Sequence, residues 1–151
     1  MNIYLGILVT FITFFIMEIV AWATHKYVMH GFLWSLHKDH HITDKDKTFE
    51  KNDAFFLIFG IPGASFIILG AENLSLMFYI GLGISLYGLA YFLVHEIFIH
   101  QRIKLFKRTS HPYFKAIRKA HKIHHKNLGK ENGECFGMIF VPFRFLKEYQ
   151  S

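Results

Sequence analysis

Three apolar runs leave this chain few ways to fold. Residues 3–24 carry a single charge, Glu18, and residues 54–71 and 75–94 carry none. As helices at about 1.5 Å per residue they reach roughly 33, 27 and 30 Å, against a bilayer core of about 30 Å. The chain is 52% hydrophobic with eighteen Phe, too apolar for an ordinary soluble domain of 151 residues. The expectation is an all-α fold: one membrane-embedded domain over residues 1–151, with three transmembrane helices. The middle helix is short and loosened by Gly60, Pro62 and Gly63. The first run has no basic leader and no small-residue cleavage site, so it is expected to remain as a span rather than be removed as a signal peptide.

Charge sets the expected orientation. All seventeen Lys and Arg lie within 26–51 or after residue 100. By the positive-inside rule both stretches are cytoplasmic, which puts the N-terminus and the turn at Glu72 outside. A histidine-rich helical cap then forms on the cytoplasmic side of an inner, cytoplasmic membrane. The net charge of +6 and pI near 9.4 are accounted for by orientation and by anionic membrane lipid, with no nucleic-acid partner. The single Cys135 excludes a disulfide within the chain and a cysteine-rich metal site.

Ten of the eleven histidines fall in four clusters: His25 and His30; His37, His40 and His41; His95 and His100; His121, His124 and His125. The second and fourth read H-x-x-H-H. On a helix, positions i, i+3 and i+4 share a face, and each neutral ring offers one lone pair, as metal capture requires. The H-x4-H pairs lie about 140° apart on an ideal helix, which suits two neighbouring ions or a helix that bulges. The first helix is expected to run through His30 and stop at Gly31, with the first H-x-x-H-H run opening a short second helix. Residues 114–126 read as an amphipathic helix ending in the second run, and 138–146 is too short to span.

Other residues are weighed against these. His111 stands alone and is left out of the ligand set. Glu18, a carboxylate within a span, is a functional candidate unless it reaches the interface. Glu96 follows His95, but the spacing is one residue longer than the zinc-protease H-E-x-x-H, so an outer hydrogen bond or a surface contact is expected of it. Asp44-x-Asp46-x-Thr48 lacks the glycine of a calcium loop, having Phe49 in its place, and is set aside. Phe32, Leu33 and Trp34 either line a substrate entrance or pack.

Ten imidazoles exceed the needs of one ion, so two are expected. Imidazole suits Fe, Zn, Cu or Ni, and the spans carry no facing histidines for a b-type haem. A non-haem di-iron centre at the membrane surface, using O2 on a lipid-dissolved substrate, is the favoured chemistry. Zinc is an alternative occupant in purified protein.

The four clusters resemble those of the membrane fatty-acid hydroxylase/sterol desaturase superfamily. The stretches Thr24-His-Lys-Tyr-Val-Met-His-Gly-Phe-Leu-Trp34 through His41, Phe49-Glu-Lys-Asn-Asp53, His95-x4-His100-Gln-Arg102, and Ala120-His-x2-His-His125 through Gly129-Lys-Glu131 and Phe136-Gly137 are similar to the bacterial β-carotene hydroxylases. That resemblance covers most of the chain, with all ten cluster histidines on its motif positions. It implies a di-iron monooxygenase that hydroxylates C3 of β-ionone rings, converting β-carotene to β-cryptoxanthin and zeaxanthin with electrons from a ferredoxin-type donor. The competing readings are a hydroxylase or desaturase of a fatty acid or sterol, and a membrane metal-binding or transport protein. Transport would need ionisable ligands within the spans, where only Glu18 qualifies.

Overall fold

The computed structural model describes residues 1–42 and 49–150; the Asp44-x-Asp46-x-Thr48 pattern lies outside the described residues. Helix α1 (Ile3–Ala23) is capped by Asn2, whose Oδ1 accepts from the Tyr4 N–H at 2.9 Å. It runs directly into a π-helical segment, Thr24–Phe32, and after a break α2 (Trp34–His41) begins. A single 3₁₀ turn, Lys51–Asp53, leads into α3 (Ala54–Gly70). A tight turn returns the chain as α4 (Leu76–Tyr91), which also passes into a π-helical segment, Phe92–Ile99. Helices α5 (Pro112–Lys126) and α6 (Phe143–Glu148) complete the fold. The described residues form no strand.

Three helical stretches are long and apolar enough to cross a membrane: Ile3–Phe32, Lys51–Gly70 and Leu76–Ile99. Lipid supplies little hydrophobic drive between helices, so they associate by close backbone approach. A Cβ at Gly83 would lie 2.7 Å from the Thr10 carbonyl of α1, and one at Gly81 would lie 2.7 Å from the Gly63 carbonyl of α3. The Thr10 hydroxyl donates across to the Tyr79 carbonyl at 3.2 Å. Pro62 sits inside α3 without breaking it. Trp22 and Tyr27 meet edge to face near the end of the first span with Lys26 over both rings, an arrangement suited to an interfacial belt.

Two local readings are corrected. The first H-x-x-H-H run closes α2 rather than opening it. Gly31 (φ −102°, ψ −123°) breaks the preceding helix, α2 restarts at Trp34, and the run fills its last five residues. Glu18 turns into the protein rather than outward. It is 2% exposed, and its Oε1 accepts from the N–H groups of Met138, Ile139 and Phe140 at 2.8–3.0 Å. Its Oε2 accepts from the Tyr87 hydroxyl at 2.7 Å. Three successive amides form an anion nest, and this one fastens the C-terminal segment to α1. Gly137 opens the nest, where a Cβ would stand 3.3 Å from the Glu18 carboxylate. Phe140 then stacks on Phe15, and α6 packs on α5 through Phe145, Ala116 and Ala120.

Candidate metal centre

All four histidine clusters meet at one end of the spanning helices. His25, His30, His37, His41 and His124 form one group and His40, His95, His100 and His121 a second; within each group, one potential ligand atom per residue lies within 4.8 Å of the rest. His125 sits between them, stacked on His41 at 4.5 Å and 4.4 Å from the His121 ring. His111 lies exposed at the start of α5, away from both groups.

The H-x4-H pairs owe their place to the π segments. In a π turn the N–H of residue i+5 bonds the carbonyl of residue i, so residue i+5 returns above residue i. The His100 N–H donates to the His95 carbonyl at 2.9 Å in this way, and both rings enter the second group. His25 and His30 likewise share the first group, with ring centres 5.2 Å apart. The bulge, rather than one ion for each ring, resolves the spacing. The H-x-x-H-H runs behave differently, because each straddles both groups. His37 and His41 face the first group and His40 the second; His124 faces the first and His121 the second.

Outer partners fix the tautomers in the first group. Nδ1 of His25, His30, His41 and His124 approaches the carbonyls of Phe136, Lys130, Asn127 and Glu134 at 2.8–3.0 Å. His37 Nδ1 meets Asn52 Oδ1 at 2.7 Å. These oxygens only accept, so each neutral ring carries its proton on Nδ1 and turns a bare lone pair inward at Nε2. The inward atoms face one another: His25 to His37 at 3.1 Å, His41 to His37 at 3.2 Å, His30 to His124 at 3.3 Å. Opposed lone pairs at that range repel one another unless a cation stands between them.

A proton does not meet that need at neutral pH. Burial and the neighbouring rings hold His37 down to about 3, and burial holds His124 near 3 and His41 near 4. A metal ion fits instead. The second group is as dry: His40 and His121 lie well below the ordinary imidazole value through burial and adjacent rings, and His100 falls to about 3. The Nε2 of His125, itself buried, has no hydrogen-bond partner, as expected of an atom reserved for a ligand bond.

In the second group two rings, His40 and His95, have carboxylates as outer partners. Glu50 Oε2 accepts from His40 Nδ1 at 2.8 Å and Glu96 Oε1 from His95 Nδ1 at 2.6 Å. Glu96 therefore makes the outer hydrogen bond expected of it. Arg102 reaches both carboxylates and Asp53.

Trp34 touches the first group directly, its ring centre 5.1 Å from His30 and 5.3 Å from His41. Leu33 is half-buried beside it and Phe32 is exposed. Two aromatic neighbours escaped the sequence reading. Phe136 stands against His25, His30 and His124, and Tyr91 stacks on His95 at 4.5 Å. Glu50, Asn52 and Arg102 were also unassigned, although the stretches holding them were part of the resemblance. The carbonyls of residues 127–136 leave no mark in side-chain sequence.

The model of the fatty acid hydroxylase family matches residues 10–143. A β-carotene hydroxylase of Pantoea ananas is 37% identical over 135 residues, 89% of this chain and 77% of that protein. One from Paracoccus sp. (strain PC1) is 34% identical over 136 residues, 89% of this chain and 83% of its own length. A chloroplastic β-carotene 3-hydroxylase of an Oncidium hybrid is 37% identical over 136 residues but is matched over 43% of its length. No solved structure gives a significant match. With its histidines gathered at the mouth of three apolar helices, the chain belongs to the fatty acid hydroxylase family and, within it, to the β-carotene hydroxylases.

Proposed function

We propose that this chain is a carotenoid 3-hydroxylase, an O2-dependent oxygenase that converts β-carotene to β-cryptoxanthin and then zeaxanthin. The observation that carries the reading is the convergence of inward-turned imidazole lone pairs in two adjacent groups, in a chain of this family. His25, His30, His37, His41 and His124 would hold one iron, and His40, His95, His100 and His121 the other, with His125 between. Such a pair of ions supplies the activation of O2 that lets one oxygen atom enter an unactivated C–H bond. Zinc would occupy the same rings in purified material.

The protein's own residues do the rest. The carbonyls of Asn127, Lys130, Glu134 and Phe136 hold four rings in one tautomer. The rings are buried, so bulk water is kept from the reacting carbon. Phe32, Leu33 and Trp34 line the entry, with Trp34 nearest the rings. A centre at the ends of the spans reaches a group presented near the membrane surface. A molecule as long as β-carotene offers a ring there without leaving the lipid, whereas a midchain fatty-acyl methylene lies deeper.

Each hydroxylation also consumes two electrons and two protons as the second oxygen atom leaves as water. A ferredoxin-type donor would supply the electrons. The basic stripe of α5 suits an acidic carrier, since Lys115, Lys119, Lys122 and Lys126 lie on the helix face turned from the histidines. That face, like the other basic stretches, is assigned to the cytoplasm by the positive-inside rule, in an inner membrane.

Expression in a β-carotene-producing host, followed by pigment identification, tests the reading. Singly and then doubly hydroxylated product is expected, and Trp34→Ala should reduce turnover more than iron content. An unchanged carotenoid pool, with a fatty acid or sterol gaining oxygen or a double bond, would replace this reading with another lipid oxidation.

A further inference from the structure

The two histidine groups differ in what stands behind them. Among the described residues, the outer partners of the first group are neutral: four backbone carbonyls and the Asn52 amide oxygen. Behind the second stand the carboxylates of Glu50 and Glu96. Arg102 closes on both, from Nη2 to Glu50 Oε2 at 2.8 Å and from Nε to Glu96 Oε2 at 2.8 Å. Its Nη1 reaches Asp53 Oδ1 at 3.0 Å. Three carboxylates against one guanidinium leave a net negative charge behind the second group, with no such carboxylate on the first group's rings among the described residues.

Resting on the reading of both groups as metal positions, we propose that they are unequal, the second holding its ion the more tightly, and that Arg102 is the positioning residue that makes it so. A carboxylate bonded to the Nδ1–H of a ligating imidazole raises the basicity of the ring and fixes its orientation; such outer partners are worth about 10–100-fold in metal affinity. Glu50 and Glu96 come from separate elements and would repel each other without a cation between them. Arg102 supplies it through a planar fork that serves several oxygens at once, which an ammonium group cannot do. The backbone delivers the guanidinium. Gln101 turns into the left-handed region (φ 55°), and the Arg102 N–H then donates back to the Glu96 carbonyl at 3.0 Å. The chain thus reverses at the end of the second π segment and lays Arg102 beside the carboxylate of that same segment. Asp53 adds a second anchor on the far side, its Oδ2 accepting from the Glu50 N–H at 3.0 Å.

The test uses the full chain in detergent, loaded with zinc and dialysed against graded chelator, with retained zinc per chain measured by elemental analysis. Two release steps separated by a plateau at one zinc are expected. His37→Ala should remove the weaker step and His95→Ala the tighter. Glu50→Gln, Glu96→Gln and Arg102→Ala should each weaken the tighter step by about 10–100-fold and leave the weaker one in place, with Arg102→Lys recovering part of the loss. Release of both ions in one step overturns the inference. So does an Arg102→Ala chain that melts earlier with its release steps unmoved, because Arg102 is then a structural staple alone. A wild-type chain that never holds two zinc ions overturns the two-metal reading, and this inference with it.

Discussion

At the scale of single residues, the centre is a problem in proton placement. An imidazole whose Nδ1–H is held by a carbonyl has one lone pair left, and here those lone pairs are aimed at each other. On the proposed reading, removing a ring removes a ligand. Replacement of His40, His41, His124 or His125 by Ala should abolish activity and lower bound metal, whereas His111→Ala should retain most of both. Comparable loss at His111, at equal protein level, would show the ligand set to be incomplete. Acid gives a second measurement. An unfolded imidazole binds a proton near pH 6.5, but in the folded metal-free chain burial holds His37, His100 and His124 to about 3 and His41 to about 4. Between those limits the unfolded chain binds more protons, so stability falls as pH falls. The melting temperature of metal-free protein should be level above about pH 7 and drop steadily below about 6.5. A level profile down to pH 5 would mean that the rings are not held neutral.

At the scale of elements, two devices carry the ligands to one place. The π segments bring histidines five residues apart onto one side, where an α-helix would splay them. The Glu18 nest ties residues 138–140 to α1 and so holds the end of the loop whose carbonyls orient the first group. Glu18→Ala would strip an acceptor from three amides and a tyrosine hydroxyl in an apolar setting, a loss of about 3 kcal/mol or more. We expect a matching fall in stability in denaturant titrations, with reduced metal occupancy, and a smaller effect from Glu18→Gln, which keeps an acceptor. Wild-type stability in Glu18→Ala would remove the clamp from this account.

At the scale of the whole molecule, three spans and one cap require that every histidine cluster emerge on the same side. Single cysteines at Asn2 and Asn73, in a Cys135→Ser background, should be labelled from the face opposite to cysteines at Lys104 and Lys130. Labelling of Lys104 and Lys130 from opposite faces would separate the clusters and dismantle the shared centre. The same topology explains why so many apolar side chains lie open to the surroundings, among them Phe11, Ile16, Ile61 and Leu69. Lipid covers them.

The three apolar helices and the inventory of ten histidines are legible in sequence because each is a local property: hydropathy over some twenty residues, spacing within a turn or two. How those histidines divide is not local. Neighbours such as His40 and His41 leave one helix in different directions, and each is met by a partner from a different segment, Glu50 for one and the Asn127 carbonyl for the other. Glu18 shows the same limit. Its sequence marks a charge inside a span, but only packing against the amides of residues 138–140 makes it a clamp rather than a ligand. Sequence alone determined which groups this protein has and that its histidine clusters gather at one end of three apolar helices. Only the tertiary structure decided which lone pairs meet and what charge stands behind them, because both depend on how separate elements pack, joining residues as far as 111 positions apart.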